Sequence, residues 1–286
     1  LGAGGYGFVM TAHHRLQDCE VAVKFIIKSK VPEHAWMEDK HGNRVPTEAL
    51  LLGLLDHQNI VGCIDLFEDP LYFYLSQQSM CSVDDLLSVS CSSPSLLSPA
   101  LPPRPHFIRR PSHDLFECIE QSQHKRLTEV QARYIFAQVV DVVHYLDSQG
   151  VTHCDIKDEN ILVDARLRVK LVDFGSAVVV DPALPRPFYT LFFGTTAYAA
   201  SEVLLKKPYQ APPAEIWTLG VLLSYLLTGA SPFPTEQDAV KGCVVLSEAA
   251  GACVSMAARA LMLRCLNPDP EARADIKEVR DHVWLR

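Results

Sequence analysis

Eight consecutive residues carry the side chains best suited to chemistry: His153, Cys154, Asp155, Ile156, Lys157, Asp158, Glu159 and Asn160. Asp155 offers a carboxylate that can orient a hydroxyl nucleophile and take its proton. Lys157 can neutralise charge on a transferring phosphoryl group, and Asn160 offers a carboxamide that can bind Mg²⁺. The stretch is not decisive alone, because Asp and Asn are common in loops, where they bond to their own backbone. Its meaning depends on what stands on either side. Asp173, in Asp173-Phe-Gly175, follows one short hairpin later, with 161–163 and 169–172 reading as the two strands. That spacing brings two oxygen ligands to one place, as a hard cation requires.

Upstream, glycines at 2, 4 and 7 are followed by Val9. Gly2, Gly4 and Gly7 would let backbone N–H groups approach phosphates, although such a pattern also occurs in dinucleotide folds and plain turns. A dinucleotide fingerprint would open a helix. Here Phe8, Val9 and then Val21-Ala22-Val23-Lys24-Phe25-Ile26-Ile27 are rich in β-branched and aromatic residues, so the loop is expected to join two strands. Lys24 inside an apolar strand needs a partner carboxylate. Glu48 is the best candidate, because it opens the helix-like run Thr47–Leu55 behind Pro46. Phosphoryl transfer requires a phosphate cradle, a cation on the phosphates, metal ligands and a group that positions the acceptor hydroxyl, and all four occur in order.

The elements that must hold these groups are legible in outline. His57–Val61 is read as the end of the first helix and the start of a new strand, with another strand at Leu71–Leu75. From about Met80 to Ser112 serine, proline and leucine dominate without periodicity, and the default is a disordered insertion. Pro99-Ala-Leu-Pro102-Pro-Arg104 also suits a polyproline ligand, and Arg109-Arg-Pro-Ser112 a phosphorylation site. Thr128 and Gln131 form a capping-box pattern, and Val130, Tyr134, Ile135, Val139, Val142, Val143 and Leu146 follow at helical spacing up to Gly150. Glu215–Leu227 is apolar nearly all round and reads as a buried central helix.

The chain has 286 residues, which suits one bilobal unit or two small domains. A formal charge of −8 disfavours nucleic acid or an anionic membrane as main partner and is compatible with basic peptides. Nine cysteines without a C-x-x-C pair point away from a disulfide framework or a zinc site, and toward a reducing compartment. No segment has the roughly 20 apolar residues of a membrane span. A cytoplasmic location is expected, with the nucleus also open. Leu1 opens directly on the glycine loop, so the chain reads as part of a longer one.

The combined set resembles the protein-kinase signature over nearly the whole chain. It is most similar to the PAS-domain-containing serine/threonine kinases, neighbours of the calmodulin-dependent group. His113–Glu120, Asp155–Ile161, Asp173–Ala177 and Phe188–Thr195 carry that likeness. The resemblance implies an α+β bilobal fold, with a small antiparallel β lobe holding one helix and a larger, mainly helical lobe. The expected layout is an N-terminal lobe over 1–78, an insertion over 79–112 and a C-terminal lobe over 113–286. It implies ATP and Mg²⁺ as cofactors, with Gly2, Gly4, Gly7, Val9, Ala22 and Lys24 on ATP and Asn160 and Asp173 on the metal. Asp155, Lys157, Lys24 and Glu48 are implied as catalytic, with protein serine or threonine hydroxyls as acceptors and an upstream PAS module as regulator.

Thr195 is expected to bond near Asp155 and Lys157, and Arg273 to pair with Glu202. The adenine-contacting backbone falls by position at Gln77–Met80, and Asp114 and Glu117 could attract a basic substrate residue. Three positions depart from the family pattern. Cys154 stands where an arginine usually binds a phosphorylated activation segment, which predicts activity without that phosphate. Ser201 replaces the proline of Ala-Pro-Glu, and Glu215 an aspartate that supports the catalytic loop. The rival reading is a pseudokinase or scaffold that recruits partners through its Pro-rich insertion.

Overall fold

The computed structural model describes residues 2–4, 6–78, 114–246 and 254–286. The expected insertion, both its short motifs, His113 and the Ser79–Met80 half of the expected adenine contact lie outside the described residues. The N-terminal half is built on one antiparallel sheet of strands β1 (Gly2–Gly4), β2 (Gly7–His14), β3 (Cys19–Ile27), β6 (Cys63–Glu68) and β7 (Tyr72–Gln78), in the order β1-β2-β3-β7-β6. The glycine loop joins β1 to β2 as the β-branched flanks predict, with Gly4 opposite Gly7. Gly7 tolerates no side chain, since a Cβ there would stand 1.7 Å from the Phe25 carbonyl oxygen. Alternation along the strands places Phe8 and Phe25 in a stack on one face, their centroids 4.7 Å apart. Ile26, Phe73 and Leu75 belong to the buried core.

Helix α1 (Thr47–Leu54) packs into the same core through Ala49, Leu51 and Leu52. It is shorter than its leucine run suggests, because Leu55 has turned to an extended conformation. The segment after it stays irregular, and the next strand begins at Cys63, later than the sequence reading placed it. A second hairpin, β4 (Trp36–Glu38) with β5 (Arg44–Pro46), lies between β3 and α1. The carboxylate of Asp39 organises its turn by accepting the His41 and Asn43 N–H groups, both at 2.8 Å.

The C-terminal half is mainly helical. It contains α2 (Leu115–Gln121), α3 (Glu129–Ser148), α4 (Ser201–Leu204), α5 (Ala211–Thr228), α6 (Glu236–Lys241), α7 (Met256–Cys265) and α8 (Ile276–Asp281). Helix α3 opens on the expected capping box: Thr128 Oγ1 accepts the Gln131 N–H, and Gln131 Oε1 accepts the Thr128 N–H. Its inner stripe carries Ile135, Phe136, Val139, Val143 and Leu146, whereas Val130 and Tyr134 face solvent. At about 100° per residue, those two fall on the opposite stripe. Helix α5 is buried nearly all round, as its composition predicts, with Trp217 inside and stacked on Phe233. Two small ladders complete the scaffold: β8 (Val151–Thr152) pairs with β11 (Val178–Val179), and β9 (Ile161–Val163) with β10 (Val169–Leu171).

Candidate active site

Lys24 sits mid-strand in β3, opposite Val9 on β2 and Leu75 on β7. Its ammonium lies 2.6 Å from Glu48 Oε1 and 2.9 Å from Asp173 Oδ1. Helix α1 supplies Glu48 from its first turn, and the carboxylate also accepts the backbone N–H of Phe174. Burial alone would depress the Lys24 ammonium, but the two carboxylates together raise it above the ordinary lysine range. Burial pushes the Glu48 carboxyl up against the pull of Lys24. Asp173 is also opposed by burial, yet Lys24 holds its carboxyl below the usual range. Asp173 adopts a left-handed backbone with φ of 62°, and its carboxylate accepts the Gly175 N–H. Phe174 is fully buried, edge-on to His153 at 4.7 Å.

The loop between β8 and β9 supplies the other half. Asp155 is fixed through both oxygens. Oδ1 accepts Thr195 N–H and Thr195 Oγ1–H, each at 2.8 Å, and Oδ2 accepts Asn160 Nδ2 at 3.0 Å. Lys157 Nζ donates to Thr195 Oγ1 at 2.9 Å and lies 3.4 Å from Asp155 Oδ2 and 3.0 Å from Glu159 Oε2. Asn160 gives a second Nδ2 bond to the Asp155 carbonyl at 2.8 Å, which leaves its own carbonyl oxygen as the group available to a cation. The Val172 N–H donates to the Asn160 backbone carbonyl, tying the loop to the segment that leads from β10 to Asp173. Buried His153 has a depressed pKa; its Nε2 faces the Val172 carbonyl at 3.0 Å and its Nδ1 accepts the Asp155 N–H.

Glu215 answers the question its extra methylene raises. Its Oε2 accepts the Cys154 N–H at 2.8 Å, so the longer side chain still reaches the loop backbone. Burial pushes its carboxyl up to about 7, against the backbone N–H groups of Cys154 and His153. Cys154 has φ of 65°, a conformation rare for a residue with a side chain, and the Glu215 bond helps to hold it there. Glu202 and Arg273 form the expected pair, bidentate at 2.9 and 2.7 Å, but they brace the segment after Thr195 rather than the reacting groups. Asp114 caps α2 by accepting the Glu117 N–H at 2.7 Å. Two contacts escaped sequence reasoning. The Tyr198 hydroxyl donates to Asp158 at 2.9 Å, and the Tyr6 ring approaches Gly175. Neither has a spacing signature, because each joins distant parts of the chain.

Lys24, Glu48 and Asp173 thus form one bonded cluster and Asn160, Asp155, Lys157 and Thr195 a second, joined through the bond from the N–H of Val172, next to Asp173, to the Asn160 backbone carbonyl. The set fits a magnesium nucleotide. Among the described residues no three His, Cys, Asp or Glu side chains converge on a metal position. Mg²⁺ commonly takes one or two carboxylates and completes its shell with water and phosphate. Gln77 is buried opposite Ala22, and among the described residues its Nε2 has no hydrogen-bond partner.

The sequence profile of the protein kinase domain matches residues 1–96 and 109–285. The chain is 35% identical over 285 residues to the PAS domain-containing serine/threonine-protein kinase of Mus musculus, matching all of this chain and 18% of that protein. It is 30% identical over 297 residues to serine/threonine-protein kinase PSK1 of Saccharomyces cerevisiae, of which it covers 19%. It is 31% identical over 296 residues to serine/threonine-protein kinase pim-2 of Danio rerio, of which it covers 82%. The chain therefore spans about a fifth of the length of the first two relatives.

Proposed function

The chain belongs to the protein kinase family, and from that premise we propose that it transfers the γ-phosphoryl group of ATP to serine and threonine hydroxyls of proteins. The cluster of Lys24, Glu48 and Asp173, joined through Val172 and the Asn160 backbone to the cluster around Asp155, carries this reading. Gly2, Gly4 and Gly7 shape the cradle over the phosphates, and Val9 and Ala22 flank the base. Lys24, fixed by Glu48, steadies the nucleotide phosphates. Asn160 and Asp173 would hold Mg²⁺, which when bound neutralises charge on the phosphate oxygens. Asp155 orients the acceptor hydroxyl and takes its proton at Oδ2, since Oδ1 already accepts two bonds from Thr195. Lys157 balances charge beside it. Acidic Asp114 and Glu117 suit a basic residue on the substrate.

Catalysis without a phosphate on the activation segment belongs to the same proposal. Cys154 offers no cation to such a phosphate, and other contacts order the segment. Tyr189 and Tyr209 exchange backbone bonds at 2.7 and 3.0 Å. The Tyr209 hydroxyl donates to the Leu191 carbonyl at 3.0 Å, and Gln210 Nε2 to the Arg186 carbonyl at 3.0 Å. The proposed layout keeps a lobe at 1–78, a connecting insertion at 79–112 and a lobe at 113–286, with regulation by an upstream PAS module and a cytoplasmic location. Among the described residues no helix is long and apolar enough to cross a membrane.

The test uses phosphatase-treated protein. MgATP should raise its melting temperature, and a basic serine peptide should be phosphorylated. Asp155→Ala should keep nucleotide binding and lose at least about a hundredfold in kcat. A folded sample that neither binds nor transfers would instead support the scaffold reading. Transfer lost on phosphatase treatment would remove the phosphate-independent part alone.

A further inference from the structure

Resting on the activity proposed above, we infer that His34 and Phe193 form a latch between the two lobes that positions the phosphoryl-transfer site without a phosphate. The rings stack with centroids 3.7 Å apart and planes 21° apart. They come from opposite sides of the cleft. His34 lies in the short turn Glu33–Ala35, between β3, which carries Lys24, and the β4–β5 hairpin, which leads into α1 and Glu48. That turn is firmly held. Ala35 is buried, Trp36 Nε1 donates to the Val31 carbonyl at 3.2 Å, and the Trp36 ring meets Phe73 at 6.0 Å.

Phe193 is fixed just as closely on the other side. Its carbonyl accepts Ser176 Oγ at 3.2 Å, and the Phe192 ring meets Tyr209 at 6.2 Å. Gly194 lies so near the loop that a Cβ would stand 2.5 Å from the Cys154 carbonyl oxygen. The next residue, Thr195, holds Asp155 through two bonds. A shift of Phe193 is therefore transmitted to Asp155, and a shift of His34 to the approach of α1 and Glu48. Both rings are accessible to solvent, Phe193 at 41%, so a chance surface contact is the competing explanation. Chance does not account for two rings so placed, because Phe193 stands two residues before Thr195, which holds Asp155, and His34 lies on the connection that runs from the strand of Lys24 to the helix of Glu48.

His34 and Phe193 are positioning residues, and a double-mutant cycle tests them. Turnover of a basic serine peptide with MgATP is measured on phosphatase-treated wild type, His34→Ala, Phe193→Ala, the double variant and His34→Phe. Each alanine variant should lose about two- to tenfold in kcat, the range an aromatic pair can supply. The double variant should lose no more than the worse single one, and His34→Phe should restore turnover. Hydrogen exchange of the 188–196 amides should quicken in His34→Ala, although that residue is remote in sequence. Wild-type turnover and exchange in His34→Ala, effects that simply multiply, or no rescue by phenylalanine would each overturn the latch. If wild type transfers no phosphate, the activity reading fails, and the exchange result alone decides the latch.

Discussion

Glu215 shows how one side chain can serve the site at a cost to the fold. It is buried under the catalytic loop, where it accepts the Cys154 N–H, and burial lifts its carboxyl from an ordinary 4.5 to about 7. The native state therefore binds a proton that the unfolded chain releases near its ordinary value. The resulting stability is complete at pH below that ordinary value and is lost as pH rises through about 7. A difference of that size corresponds to about 3 kcal/mol. Glu215→Gln keeps a carbonyl acceptor and has no charge to bury. Wild type should therefore lose stability relative to the variant between pH 5 and 8, read as melting temperatures on a pH series, at about 2–4 °C per kcal/mol. A gap between the two proteins that stays constant with pH would show that Glu215 does not titrate in this range. Other carboxyls with raised values, such as Asp158, are common to both proteins and drop out of the comparison.

Between elements, buried polar pairs fix the helices on which the site depends. Arg273 and Glu202 are both buried, and the guanidinium also donates to the Pro213 carbonyl at 2.6 Å, at the start of α5. Arg273→Met would leave the Glu202 carboxylate buried without its partner and should cost about 3–5 kcal/mol in urea unfolding. Adding Glu202→Gln should return part of that loss. A cost under about 1 kcal/mol would mean that water replaces the guanidinium. This pair was legible in the sequence, as were the α3 capping box, the central α5 helix and the β9–β10 hairpin, because each has a local signature or a motif residue at known spacing. The β4–β5 hairpin was not, since strands of three residues carry no periodicity; only Gly42-Asn43 marks its turn. Asp155, Asn160 and Asp173 were readable for the same reason that the Tyr198–Asp158 bond and the His34–Phe193 stack were not. Loop spacing is written in sequence, whereas contacts across the fold are set by packing.

At the scale of the whole molecule, the groups proposed to serve phosphoryl transfer belong to both halves. Lys24 and Glu48 come from the sheet side and Asp155, Asn160 and Asp173 from the helical side, so turnover depends on how the halves are joined. Strand β7 ends at Gln78, and the described chain resumes at Asp114. The kinase-domain match leaves out 97–108 within that interval. If the match marks what phosphoryl transfer requires, removing 97–108 should leave the chemistry in place. Shortening a connection on this scale changes the closure free energy by only about 0.4 kcal/mol. Peptide phosphorylation by the shortened protein should stay within about twofold of wild type, with MgATP still raising the melting temperature. This deletion also removes Pro99–Arg104, so a partner captured through the polyproline motif would be lost while turnover survives. A folded deletion variant without transfer would instead make 97–108 part of the catalytic unit. The lobe boundaries at 78 and 113 would then have to be redrawn around it.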